Sequence, residues 1–430
     1  MGNIVFPLCN RTRSCCIEHS ISQAQATRLS HLMYPDSCRI NVSVLALIAL
    51  TTAASPQLVN AATSPRVGVL LDTVPFTGGR EGYAVYRTPA VVVSQRGTIL
   101  AFCEGRVNDH RDEGDIDTVL KRSFDGGRTW GALQVVANDS VNPCKNLCPV
   151  VLPSGRVLAV YLWNKFITSK RDRATREVFV VYSDNDGATW SAPRSITSSV
   201  YREGWAWYGT GPCHAIVKER EPHKGRIIVP ARHNSASSHM LSHVVYSDDG
   251  GETWHLGGDV PRMRTSECTA VELSNGDIML NSRNQDNSPC RVVAVSKDGG
   301  ASFPRAWLDE TLIEPRGCQG SLLFHSISAT TGRGVILFSN PANATVRADG
   351  AIKLSEDDGG TWNSSFRYAP KPAPYFTGYS DLVKLPDGNI AILYERGEFE
   401  PDDRKADRYG EMGFTVVAFA ALNAPSITDR

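Results

Sequence analysis

The chain has 430 residues, of which 41% are hydrophobic and 21% charged, the balance of an ordinary globular protein. Lys+Arg and Asp+Glu both number 45, so the zero net charge gives no electrostatic case for nucleic acid or an anionic membrane as partner. Of the 11 cysteines, Cys9, Cys15, Cys16 and Cys38 fall early and the rest are scattered from Cys103 to Cys318. A lone Cys144-x-x-x-Cys148 without His or Cys nearby is a weak zinc signal. The expectation is buried small side chains, room for one disulfide, and no metal.

Residues 1–32 show no apolar period and read as an upstream extension. Their start, Met1-Gly2-Asn3-Ile4-Val5-Phe6, lacks the Ser or Thr that myristoylation needs at the last of these positions. Residues 33–61 read as a secretory signal peptide. Arg39 precedes the run Val42 to Leu50, which is too short to span a bilayer and leads to small residues around Val59-Asn60-Ala61. An exported protein is expected: secreted, periplasmic or cell-surface, or lysosomal in an animal host. Asn138, Asn343 and Asn363 open glycosylation sequons that matter only in a host that glycosylates.

From residue 66 to 423 the chain is a succession of short apolar segments, such as Ala90-Val91-Val92-Val93 and Arg226-Ile227-Ile228-Val229-Pro230, punctuated by Gly, Pro, Asn and Asp. No long helical period interrupts them, so the region reads as all-β, and residues 424–430 as a tail. One stretch recurs: SFDGGRTW from Ser123, SDNDGATW from Ser183, SDDGGETW from Ser247, SKDGGASF from Ser296 and SEDDGGTW from Ser355. Each copy follows an apolar run and precedes another, which is hairpin grammar. The Asp or Asn side chain binds backbone N–H groups, Gly supplies a positive φ, and the aromatic ring packs under the turn. A supersecondary unit repeated at this period predicts a β-propeller of four-stranded antiparallel blades forming one domain. The boxes themselves read as scaffold without chemistry.

Polar residues embedded in apolar strands are the candidates for a site where strands converge. They are Arg87 in Tyr86-Arg87-Thr88-Pro89, Arg106, Glu267 in Ser266-Glu267-Cys268, Arg283 in Asn281-Ser282-Arg283-Asn284, Arg347, Tyr379 in Tyr379-Ser380-Asp381-Leu382, and Glu395. Taken with the boxes, with Asp112-Glu113-Gly114-Asp115-Ile116-Asp117 and with Cys318-Gln319-Gly320-Ser321, this ordered set resembles the exo-α-sialidase (neuraminidase) family. The likeness runs from about Gly78 to Gly397. The family's Arg-Ile-Pro motif stands here as Arg87-Thr88-Pro89.

The resemblance implies a six-bladed β-propeller and a retaining exo-α-sialidase that needs no cofactor and no metal. Its substrates would be sialoglycoproteins, gangliosides and sialyl-oligosaccharides. Arg87, Arg283 and Arg347 match the family arginines that hold the sialic acid carboxylate, a task suited to a planar guanidinium that stays charged. Glu395 matches the acid that braces Arg87, and Arg106 a residue that contacts a ring hydroxyl. Because a carboxylate nucleophile would meet the substrate's own carboxylate, sialidases use tyrosine instead. Tyr379 matches that nucleophile, Glu267 its general base and Asp112 the acid/base, with Asp109, Asp115 and Asp117 as nearby alternatives. Trp205, Trp207 and Tyr208 are candidates for lining the N-acyl or aglycone region, though an aromatic cluster in a β-protein is more often core. A trans-sialidase and a sialic-acid-binding propeller with dead chemistry are the rival readings.

Overall fold

The computed structural model describes residues 66–166, 175–235, 237, 239–315, 317–369, 375–398 and 409–422. The expected extension, signal peptide and tail lie outside the described residues, as do residues 399–408 of the charged segment Glu398–Arg408.

Strand β1 (Val69–Thr77) comes first. Blade 1 follows, with β2 (Val85–Val93), β3 (Ile99–Arg106), β4 (Ile116–Ser123) and β5 (Gln134–Ala137). Blade 2 contains β6 (Cys144–Val151), β7 (Val157–Asn164), β8 (Arg176–Ser183) and β9 (Arg194–Ser195), and the single-turn α1 (Thr197–Val200) comes next. In blade 3 the innermost position is shared by β10 (Trp207–Thr210) and β11 (Ile216–Val217), backed by β12 (Ile227–Asn234), β13 (Met240–Ser247) and β14 (His255–Asp259). Blade 4 is β15 (Thr265–Glu272), β16 (Ile278–Asn284), β17 (Cys290–Ser296) and β18 (Ala306–Ile313). Blade 5 is β19 (Ser321–Ile327), β20 (Gly334–Pro341), β21 (Gly350–Ser355) and β22 (Ser364–Arg367). Blade 6 takes β23 (Tyr375–Lys384), β24 (Ile390–Glu398) and β25 (Glu411–Val417), and its outer strand is β1. The first strand therefore closes the ring of six, and α2 (Phe419–Leu422) ends the described chain.

Alternating residues of each strand face the two neighbouring blades, so the core is divided into layers between blades. Val91, Ile99 and Ala101 of blade 1 meet Ala391, Leu393 and Phe414 of blade 6, and equivalent clusters fill the other five interfaces. The repeated boxes wedge these layers together. In each, the Ser hydroxyl donates to the Asp or Asn side chain and accepts the N–H of a Gly, while that side chain accepts the N–H of a Thr or Ser. The Gly251 backbone has φ +94°, and a Cβ there would lie 2.3 Å from Cδ1 of Leu158 in the preceding blade. Only a glycine lets the turn approach that closely.

The boxes begin where β4 and its counterparts end. In blade 1, Ile99 pairs with Ser123 at that end, and Arg106 pairs with Ile116 at the other. Loop 107–115 therefore sits at the opposite end, where the innermost strands begin. Four of those strands break register there: β2 between Arg87 and Ala90, β6 between Lys145 and Cys148, β15 between Thr265 and Cys268, and β23 between Thr377 and Ser380. Such bulges turn side chains out of the pleat and toward a shared centre. Thr88 and Asn146, inside two of them, have φ of 62° and 55°.

Candidate active site

Three of the bulges deliver Arg87, Glu267 and Tyr379 to one cleft, which Thr88, Arg106, Asp112, Lys145, Asn146 and Trp207 also line. A wider hollow opens on the axis among later residues of the same inner strands, Val91–Val93 and Leu382–Lys384, away from this group.

The centre of the cleft is a tyrosine and a glutamate that are 112 residues apart in sequence. The Tyr379 hydroxyl donates to Glu267 Oε1 at 2.5 Å, and Arg283 Nη1 donates to Glu267 Oε2 at 2.5 Å and to the Tyr379 oxygen at 3.0 Å. Burial disfavours the Glu267 charge, but Arg283, Arg232 and the Tyr379 hydroxyl outweigh it and bring its pKa down to about 2. Burial and the Glu267 charge push the Tyr379 phenol well above its ordinary range, against the pull of Arg283 and Arg347. At rest the proton therefore stays on the tyrosine.

Guanidiniums surround this pair. Arg347, from the loop between β20 and β21, lies 5.2 Å from the Tyr379 ring centre, and Arg87 lies 5.7 Å from it. Arg87 is fixed by three contacts: its Nε donates to Glu395 Oε1 at 3.2 Å, its Nη1 to the His110 carbonyl at 3.3 Å, and its plane covers Tyr409 at 4.1 Å. Glu395 is fully buried and also accepts the N–H groups of Thr88 at 3.0 Å and Tyr379 at 3.1 Å. One carboxylate thus holds an arginine and the backbone of two bulges. Gly378 makes room for it, since a Cβ there would lie 2.1 Å from Glu395 Oε2.

Asp112 stands at the mouth. Its side chain is 69% exposed, against 6% for Glu267, so a proton on Asp112 is open to a leaving group while one on Glu267 is sealed in. Asp112 Oδ1 lies 2.9 Å from Arg106 Nη1 and 3.6 Å from Arg87 Nη1, and Lys145 Nζ donates to its carbonyl. The walls of the cleft disfavour its charge, but Arg106, Arg87 and Lys145 prevail and hold it well below the usual carboxylate range. Two of the alternatives are engaged elsewhere: Asp109 pairs with Arg111 at 2.6 Å, and Asp117 accepts the Tyr83 hydroxyl at 2.6 Å. Asp115 is not: its Oδ1 is buried without a hydrogen-bond partner, and burial and Asp117 raise its pKa, but it does not line the cleft. Arg106 directs Nε and Nη2 to the buried Glu104 at 3.1 and 2.6 Å and Nη1 to Asp112.

All eight residues singled out from the sequence converge here, with Glu267 inside β15. The aromatic trio separates. Trp207 lines the cleft, whereas Tyr208 is buried in the core and Trp205 stacks on His233 with ring centres 3.6 Å apart. Sequence reading missed Glu104, Lys145, Asn146 and Arg232. Arg232 carried a usable signal, a charged residue ending the apolar run from Ile227, the same cue that marks Arg106. Among the described residues all seven cysteines are unpaired and buried, so the expected disulfide has no partners there. His233, His243 and Asp259 place ligand-type atoms within 4.8 Å of one another and could hold a metal. The two imidazoles bond each other, Nδ1 to Nδ1 at 3.1 Å, and burial and the Arg202 charge keep both pKa values low.

Comparison with known proteins agrees with this architecture. The family model described as "BNR repeat-like domain" matches residues 97–392. A sialidase of Micromonospora viridifaciens is 36% identical over 82% of this chain, which spans 57% of that relative's length. A sialidase of Paraclostridium sordellii is 31% identical over 74% of this chain and 83% of its own. The structure of a Hadza microbial sialidase, Hz136, superimposes with a TM-score of 0.70 at 23% identity, covering 82% of this chain and 69% of the other. With the propeller, the repeated boxes and these relatives taken together, the chain belongs to the sialidase family.

Proposed function

We propose that the chain is a retaining exo-α-sialidase that hydrolyses terminal sialic acid from glycoproteins, glycolipids or oligosaccharides through a covalent intermediate on Tyr379. The observation that carries this reading is the 2.5 Å bond between Tyr379 and Glu267 inside a ring of Arg87, Arg283 and Arg347. The arginines take the substrate carboxylate, each good charge-assisted contact contributing about 1.5–3 kcal/mol. As the glycosidic bond breaks, the Tyr379 oxygen bonds to the anomeric carbon, its proton passes to Glu267, and Asp112 protonates the departing oxygen. Water then attacks the same carbon, Asp112 takes its proton, and Glu267 returns the first proton to the tyrosine. The substrate carboxylate beside Arg87 adds negative charge near Asp112, which raises the proton affinity of an acid that is ionised in the empty cleft.

Hydrolysis is favoured over transfer to a sugar acceptor because the cleft's tryptophan is occupied. Arg232 covers Trp207 at 4.1 Å and Arg176 approaches it at 5.6 Å, and Trp205 is stacked on His233. A binding-only propeller is disfavoured because Tyr379, Glu267 and Asp112 are all in place. Export rests on the apolar run Val42 to Leu50 in the sequence. Among the described residues no helix is long and apolar enough to cross a membrane.

Release of fluorophore from an aryl sialoside by the full chain, with a chelator present, tests the activity. Turnover that survives the chelator is expected. Binding of sialic acid without any turnover would move the reading to a lectin.

A further inference from the structure

Arg232 belongs neither to the three arginines around the Tyr379 ring nor to the acid at the cleft mouth, yet it touches the base. Its Nη2 lies 3.4 Å from Glu267 Oε1, the same oxygen that accepts the Tyr379 proton donor. Two contacts hold it there: Nη1 donates to Ser266 Oγ at 2.6 Å, and the guanidinium lies over Trp207 at 4.1 Å. The seat under it is built, since a Cβ on Gly209 would come within 2.4 Å of the Trp207 ring. Arg283 differs in kind. It bridges Glu267 to the phenol and is the group that an incoming carboxylate would share.

We infer that Arg232 is a positioning residue that acts through Glu267: its fixed charge keeps the base ionised and aims Oε1 at the Tyr379 hydroxyl while Arg283 is engaged with substrate. This rests on the reading of Glu267 as the base. The charged and titratable groups facing Glu267 are Arg232 from β12, Arg283 from β16 and Tyr379 from β23. Arg232 is the one among them that neither exchanges a proton nor is assigned to the substrate carboxylate. When the phenol proton moves to Glu267, Oε1 gives up its charge next to Arg232. A guanidinium at 3.4 Å opposes that transfer, so Oε1 stays ionised and ready to accept until bond formation at the Tyr379 oxygen makes the phenol proton acidic.

The test is the pH dependence of kcat/KM on an aryl sialoside, whose good leaving group reduces the demand on Asp112. Removing a nearby positive charge raises a carboxylate pKa. Arg232→Gln should therefore move the acid limb upward by about 1–3 pH units, whereas Arg232→Lys returns it. Ser266→Ala, which frees the guanidinium without touching Glu267, should move the limb the same way by less, and it provides a second reading if the glutamine variant does not fold. A limb that stays in place in Arg232→Gln and Ser266→Ala, or a lysine variant that fails to restore it, overturns the inference. Glu267→Gln run alongside separates the two readings. If it loses turnover while the Arg232 variants keep the wild-type limb, only the role of Arg232 falls; if it retains full turnover, the base assignment falls first.

Discussion

Replacing Glu395 with glutamine probes how one buried carboxylate ties binding to folding. Its Oε1 accepts from Arg87 Nε and the Thr88 N–H, and its Oε2 from the Tyr379 N–H. A glutamine has one acceptor oxygen and an NH2 that must face one of those two sets of donors. If the NH2 faces Tyr379, one buried N–H loses its acceptor, at a cost of about 1–3 kcal/mol. If it faces the other set, Arg87 Nε and the Thr88 N–H lose their acceptor instead; in either orientation the carboxylate charge is gone, and breaking a buried ion pair costs about 3–5 kcal/mol. The first orientation is cheaper. Arg87 also keeps its contacts with the His110 carbonyl and Tyr409, which holds the expected loss to about 3–5 kcal/mol. Urea unfolding followed by tryptophan fluorescence measures it. Arg87 then binds substrate less rigidly, so KM should rise by about tenfold or more, the equivalent of one weakened charge-assisted contact, with kcat falling less. Stability within about 0.5 kcal/mol of wild type together with an unchanged KM would refute the bracing role.

Three further outcomes follow from the same geometry. Asp112→Ala should lower kcat/KM by about 10²–10⁴-fold on sugar-linked sialosides and far less on aryl ones. Because Asp112 is held ionised in the empty cleft, wild-type activity on sugar-linked substrates relative to aryl ones should increase as pH falls, and competition kinetics at several pH values check this. The Gly251→Ala change forces a Cβ to 2.3 Å from Leu158 at φ +94° and should cost about 2 kcal/mol or more in chemical denaturation, with kcat/KM intact below the melting point. The buried His214 ring shares the Asp381 carboxylate at 2.8 Å; burial opposes its charge, but Asp381 raises its pKa. Its contribution to stability is therefore full below the unfolded pKa of about 6.5 and is lost as pH rises through the folded value. The stability gap between wild type and His214→Gln should narrow from acid to alkaline pH.

The fold was legible in the sequence because the turn chemistry repeats. Each box encodes its own hydrogen bonds within seven or eight residues, so the hairpins, and through their period the propeller, could be read locally. The closing of the ring by β1 could not, since nothing in Val69–Thr77 specifies a partner in Glu411–Val417. The residues that converge in the cleft were legible through residue types standing out from apolar strands: Arg87, Glu267 and Tyr379 are each an interruption of a β pattern. What stayed hidden depends on the bulges. Glu104, Lys145 and Asn146 look like ordinary strand residues until the register break between Lys145 and Cys148 turns two of them inward. Trp207 and Tyr208 could not be sorted either, because a shift of one position on β10 exchanges cleft for core.

The claim on which the rest depends is that Tyr379 bonds to the anomeric carbon. A sialosyl fluoride carrying a second fluorine on the adjacent carbon provides a fast leaving group and slows the second step, so an intermediate should accumulate. Intact-mass and peptide-level mass spectrometry should then find one added glycosyl residue on the peptide containing Tyr379, and none in Tyr379→Phe. An adduct on Glu267, or steady turnover of the probe by Tyr379→Phe, would contradict the tyrosyl mechanism.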